Sequence, residues 1–304
     1  MVLTPVPFEH GMRVRQPTPV RWTELEAPSQ SRVALVSYST TLPPEILQAQ
    51  NPLTLIRERR ANVHVPVAVL SGTAGYIDSV GFLMLAGLFP AHVTGEIVGL
   101  TKALGGGHPL SHPSRWAVLP IFVAMLFVAA CVVRRFRAKG SSPRRALLGL
   151  MAVTLGVGAC TGFWSLAHGL REPEWVLAVR EACLVSAMAF QNAFTREGLA
   201  RSCPTTVMTG NLTQFVFELV EAIASRLGWN HDEDTHARNI SGSRLTLVSK
   251  ALASFVFGAV FGGFMASKFG AFSVAVPMVA ALALAHRFKQ AAVQRGHSVR
   301  PSVA

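Results

Sequence analysis

Two groups of residues have the types and the spacing to do chemistry. Asp78 and the run Thr94-Gly95-Glu96 lie in the first half of the chain; Gln191, Asn192 and the run Thr209-Gly210-Asn211 lie in the second. Carboxylates, amides and hydroxyls beside a glycine offer hydrogen bonds and a proton site but no activated nucleophile. The chemistry they predict is binding of a small polar solute or a proton. No catalytic residue is expected, because GxSxG, HExxH and paired-metal spacings are absent from the sequence. No Walker A run occurs either, so ATP-driven transport within this chain is not expected. His92 has no second His at ligand spacing, and neither a metal nor another cofactor is expected. His231, Asp232, Glu233, Asp234 and His236 read as a solvated charge run or as a weak divalent-ion site.

The elements that must position these residues are apolar. Of 304 residues, 50% are hydrophobic and 14% charged, well below the charge of soluble domains. Trp116–Cys131, Ala146–Ala167 and Leu245–Ser267 hold almost no charge, and each is long enough to cross a bilayer. The net charge of +12 does not point to nucleic acid, because basic residues cluster at the ends of apolar runs. Cys131, Cys160, Cys183 and Cys203 lack metal or redox spacing and read as small packing residues.

Charge sets the expected topology. Arg57, Arg59 and Arg60 precede a span at 65–89, and Arg134–Arg145 is a basic loop without acids. Both are expected in the cytoplasm. The loop carrying Arg171, Glu172, Glu174, Arg180 and Glu181 is charge-balanced and suits the outside, as does His108–Arg115. Further spans are expected at 175–195, 245–267 and 271–288. Ala91–Leu104 is about 21 Å long at ~1.5 Å per residue, too short for a core of ~30 Å. Thr205–Ile223 is long enough, but Thr206, Gln214, Glu218 and Glu221 make it too polar for lipid.

The reading that satisfies every basic flank is an all-α integral membrane protein with about six transmembrane helices plus two short broken or re-entrant helices; seven or eight spans are the alternative. The divisions are a disordered cytoplasmic tail at 1–64, membrane halves at 65–170 and 171–290, and a second cytoplasmic tail at 291–304. Both termini then face the cytoplasm, and the plasma (inner) membrane is the expected location. Thr94 follows Asp78 by sixteen residues and Thr209 follows Asn192 by seventeen, while His92-Val-Thr-Gly-Glu96 parallels Val207-Met-Thr-Gly-Asn211. Two related halves of opposite orientation, an inverted repeat, are expected.

Gly75-Tyr-Ile-Asp78-Ser-Val-Gly81-Phe, Gly87-Leu-Phe89, Thr94-Gly95, Phe190-Gln-Asn192 and Pro204-Thr-Thr-Val-Met-Thr-Gly-Asn211 occur in that order. This succession resembles the YoaK family of bacterial and fungal integral membrane proteins, over about 65–288. The resemblance implies a multi-span membrane protein and no particular activity. Glu96 departs from it, since the family has Asn there, as Asn211 does.

Asp78 lies within a span, where an acid costs on the order of 2.5–3.5 kcal/mol to insert, so it must find a partner. It either serves a solute or proton or is hydrogen-bonded for packing. The Thr-Gly runs, following Pro90 and Pro204, are expected to meet at half-helix N-termini near the midplane, or to act as caps. Gly258, Gly262, Ala266 and Gly270, and Ala152, Gly156 and Cys160, read as small-residue packing seams. A secondary transporter of a small polar solute, driven by protons through Asp78 and Glu96, is the first functional expectation. A non-transporting scaffold or regulatory subunit in the bilayer is the alternative.

Overall fold

A computed structural model describes residues 52–106, 114–168, 172–199, 204–227 and 235–298. Of the expected tails at 1–64 and 291–304, residues 1–51 and 299–304 lie outside the described residues, as do Cys203 and residues 231–234 of the acidic-histidine cluster, while 52–64 and 291–298 are helical.

The first apolar run forms α1, Pro52–Met84. It begins earlier than the expected start at Val65, with Pro52 at its first position, where a missing N–H costs nothing. It also ends earlier than Phe89. Ala86 and Gly87 take left-handed φ values of 48° and 82°, and the Gly87 N–H closes on Phe82 O at 3.0 Å. That bond satisfies a terminal carbonyl and turns the chain. The short α2, Val93–Gly106, follows. Next come α3, Arg115–Ala138, and α4, Arg144–His168, on either side of the basic turn. The second half repeats the order with α5, Glu174–Gly198, and α6, Met208–Arg226. It closes with α7, Thr235–Phe269, a 3-10 turn at Gly270–Val274, and α8, Ala275–Ser298. Among the described residues every regular element is helical.

Segments 63–84, 115–138 and 144–165 are apolar enough to cross a membrane, as is the run 242–290 that holds α7 and α8. Their outward faces expose Phe127, Phe257 and Val260 at about 70% each. Such large apolar surfaces suit lipid rather than water. α5 has spanning length at 25 residues but carries Arg180 and Glu181, read from the sequence as loop charges, inside its first turns. Both are buried. Arg180 donates to Glu172 Oε2 at 2.8 Å, Glu172 Oε1 at 3.0 Å, Thr161 Oγ1 at 3.3 Å and Ser165 Oγ at 3.2 Å. The cation therefore enters the bundle already neutralised.

The helices interlock across the halves. α1 packs mainly on α7, and α5 packs on α3 and α4; α2 lies on α3, and α6 on α7. α4 rests on α8 and the 3-10 turn. Glycine makes the α1–α7 crossing possible: a Cβ on Gly258 would fall on the Gly72 carbonyl, and one on Gly262 within 2.6 Å of the Tyr76 carbonyl. The expected seam thus forms at Gly258 and Gly262. Gly270 is instead a turn residue at φ 58°, and Cys131 and Cys160 face outward rather than into packing.

Candidate functional site

Each half contains a side-chain lock that fastens a helix to the chain returning beneath its end. In the first half, Asp78 of α1 accepts the Ala91 N–H at Oδ1 (2.7 Å) and faces His92 Nδ1 at Oδ2 (2.5 Å). Glu96, in the first turn of α2, accepts the Phe89 N–H at 3.0 Å and pairs with Arg115 at the start of α3. Arg115 also donates to Leu85 O at 3.2 Å and Ala86 O at 2.6 Å. It thereby holds the left-handed Ala86, a conformation that costs roughly 1–2 kcal/mol for a residue with a Cβ. Asp78, Glu96 and Arg115 are all buried.

The second lock has the same spacing and no charge. Thr206 donates to Asn192 at 2.8 Å, fourteen residues apart like His92 and Asp78. Asn211 donates to Pro204 O at 2.6 Å, seven residues back, as Glu96 reaches back seven to Phe89. Gln191 donates to Thr205 Oγ1 at 3.2 Å and, across the bundle, to Leu70 O at 2.9 Å. Thr205 Oγ1 lies 3.0 Å from Thr195 Oγ1. Gln191 Oε1 is buried with no hydrogen-bond partner among the described residues.

The structure therefore assembles the expected residues into two sites, not one. Gln191 meets α1 at Leu70, whereas the first lock meets it at Asp78, about 12 Å further along the axis at ~1.5 Å per residue. Gln191, towards the C-terminal end of α5, thus lies beside the middle of α1. α2 and α6 pack on different helices, α3 and α7. Thr94, Gly95, Thr209 and Gly210 are exposed, and a Cβ on Gly95 would meet nothing within 4 Å.

Beside the first lock a cavity of about 690 Å³ opens between α1 and α7. Asp78 and His92 line it together with Phe82, Phe89, Phe255, Ala259 and Gly263, and Gly75 lets α7 approach beside it. The Phe82 and Phe89 rings are 5.3 Å apart, and His92 meets Phe255 edge-on at 6.0 Å. His92 and Arg115 are the participants the sequence reading missed. One was weighed only as a metal ligand and the other only as a loop charge. The usable signal was Glu96 itself: an acid replacing an amide beside a span needs a cation, and Arg115 is the only Lys or Arg between Lys102 and Arg134. Among the described residues no cluster of His, Cys, Asp and Glu could hold a metal.

The chain is 26% identical over 214 residues to the "UPF0700 transmembrane protein YoaK" of Bacillus subtilis (strain 168), covering 70% of this chain and 88% of that one. No solved structure matches it. The family model described as "Protein of unknown function (DUF1275)" matches residues 67–286, a stretch that includes both locks and the cavity. The chain is a multi-pass membrane protein that belongs to this family.

Proposed function

We propose that the protein is a secondary transporter that couples movement of a small polar solute to protons. The observation that supports this best is the Asp78–His92 pair on the wall of a cavity large enough for a small molecule. An acid and an imidazole in contact share a proton site that can exchange with a solute, and intramembrane ionisable groups commonly mark such pathways. The supporting architecture is six spans, α1, α3, α4, α5, α7 and α8, with α2 and α6 re-entrant, in two inverted halves. α1 pairs with α7 as α5 pairs with α3, and α2 lies on α3 as α6 lies on α7. The two locks then sit towards opposite faces, the first outward and the second inward, where an alternating-access cycle needs its gates. Both termini are cytoplasmic in this scheme and the plasma membrane is the location.

The test is purified protein in vesicles carrying an internal pH-sensitive dye, challenged with a panel of small polar solutes. Solute-dependent proton movement that is lost in Asp78→Asn is the expected result. If no solute in the panel moves protons or itself crosses, the polar residues serve packing, and the protein is a scaffold or regulatory subunit. Topology is checked separately by membrane-impermeant labelling of single cysteines at Arg60 and Ser141, which should react from the same side, opposite to one at Glu174.

A further inference from the structure

The cavity beside the first lock joins two features that rarely meet in a lipid-facing helix pair. One is a buried carboxylate, Asp78, at 5% exposure. The other is a set of aromatic rings: Phe82 and Phe89 at one side, Phe255 and His92 at the other. Aromatic faces carry negative potential and attract cations, most strongly organic cations whose weak hydration is cheap to remove. An apolar wall closed by one acid therefore selects positive charge on an apolar body.

Resting on the proton site of the reading above and not on its polar solute, we propose that this cavity binds a hydrophobic organic cation, and that the cation displaces the proton shared by Asp78 and His92. Asp78 can balance one positive charge. With the cavity empty that charge is the imidazolium of His92; with the cavity filled it is the ligand, and the His92 proton leaves to the bulk.

The surrounding charges keep that exchange one for one. Glu96 on α2 and Arg115 on α3 neutralise each other. On α7 the lining is uncharged, with Lys268 exposed beyond it and Lys250 acting on His64 of α1 rather than on the cavity. α5 faces α1 with the neutral Gln191, and its Glu181 lines a separate cavity of about 80 Å³ beside Ser114. The 3-10 turn meets α1 through Tyr76, which donates to Ser273 O at 2.9 Å. The rim residues Phe82, Leu83 and Phe89 are 41–52% exposed on the outer surface of the bundle. A ligand dissolved in the bilayer can therefore enter from the side.

The probe is tetraphenylphosphonium, titrated calorimetrically into the full chain in lipid nanodiscs, in two buffers of different ionisation heat so that released protons are counted. The expected result is saturable binding with up to one proton released per cation. Affinity should fall about tenfold per pH unit once His92 is protonated, as linkage of one proton requires. Asp78→Asn should abolish binding. Phe255→Leu, which leaves the lock intact, should weaken it about two- to tenfold with unchanged proton release. Absence of binding, binding without proton release, equal binding of tetraphenylborate, or no effect of Phe255→Leu would overturn the proposal. Binding with proton release but no flux in vesicles supports the site and removes the transport reading. Proton-coupled flux of a solute that tetraphenylphosphonium does not inhibit does the reverse.

Discussion

The two locks do the same mechanical task with different chemistry. Both return the chain beneath a helix end with bonds spanning fourteen and seven residues. The second does so with amides and hydroxyls, while the first uses an acid, an imidazole, a second acid and a guanidinium. The neutral version spans the same separations with hydrogen bonds alone. Buried ion pairs are no more stabilising than well-packed neutral groups, and breaking them is costly. The charges of the first lock therefore call for an explanation beyond folding, and the adjoining cavity supplies one.

The comparison breaks most sharply at Arg115. Arg115→Ala strands Glu96 and two carbonyls, so thermal unfolding in detergent should show a loss of about 3–5 kcal/mol. The double variant Glu96→Asn/Arg115→Ala, which imitates the second half, should recover much of it. No recovery would mean that the two locks are not interchangeable. In the second lock, Asn211→Ala removes a neutral bond to Pro204 O and should cost about 1–3 kcal/mol by the same assay. Thr206→Val, which keeps shape and loses the bond to Asn192, should cost about 0.5–1.5 kcal/mol.

The smallest effect is a control outside both locks. Burial alone would raise the Glu172 carboxyl, but bonds from Arg180 and Ser165 and the Arg180 charge hold it below its ordinary 4.5. Its contribution is thus complete above pH 4.5 and is lost as pH falls through the lowered value. A thermal midpoint measured against pH should show an acid-limb decline that Glu172→Gln flattens. If the decline is unchanged in that variant, the pair is too solvated to matter.

Much of this comparison could be read from the sequence. The spans follow from runs such as Trp116–Cys131, because a bilayer selects by length and apolarity and both are local properties. Asp78, Asn192 and the Thr-Gly runs stood out because polar groups are conspicuous in apolar segments. Which helix each short element packs on was not legible, because α2 lies on α3 and α6 on α7 through contacts distant in the sequence. Arg115 is half legible: Glu96 signals the need for a cation, but only the folded start of α3 shows which one meets it; His92 joins Asp78 only once the chain turns back after α1. Arg180 was misplaced because two adjacent charges look like a loop until Glu172, Thr161 and Ser165 are seen around the guanidinium.

The glycine crossing of α1 and α7 has a consequence for biogenesis. Gly72 and Gly258 touch backbone to backbone, yet at ~5–20 residues per second the ribosome needs on the order of ten to forty seconds to travel between them. For that interval α1 resides in the membrane without its principal neighbour, carrying an acid. The Asp78 bonds to Ala91 and His92 reach only thirteen and fourteen residues ahead, so they are available almost as soon as the helix leaves the translocon. The first lock can thus shelter the carboxylate with partners made long before α7.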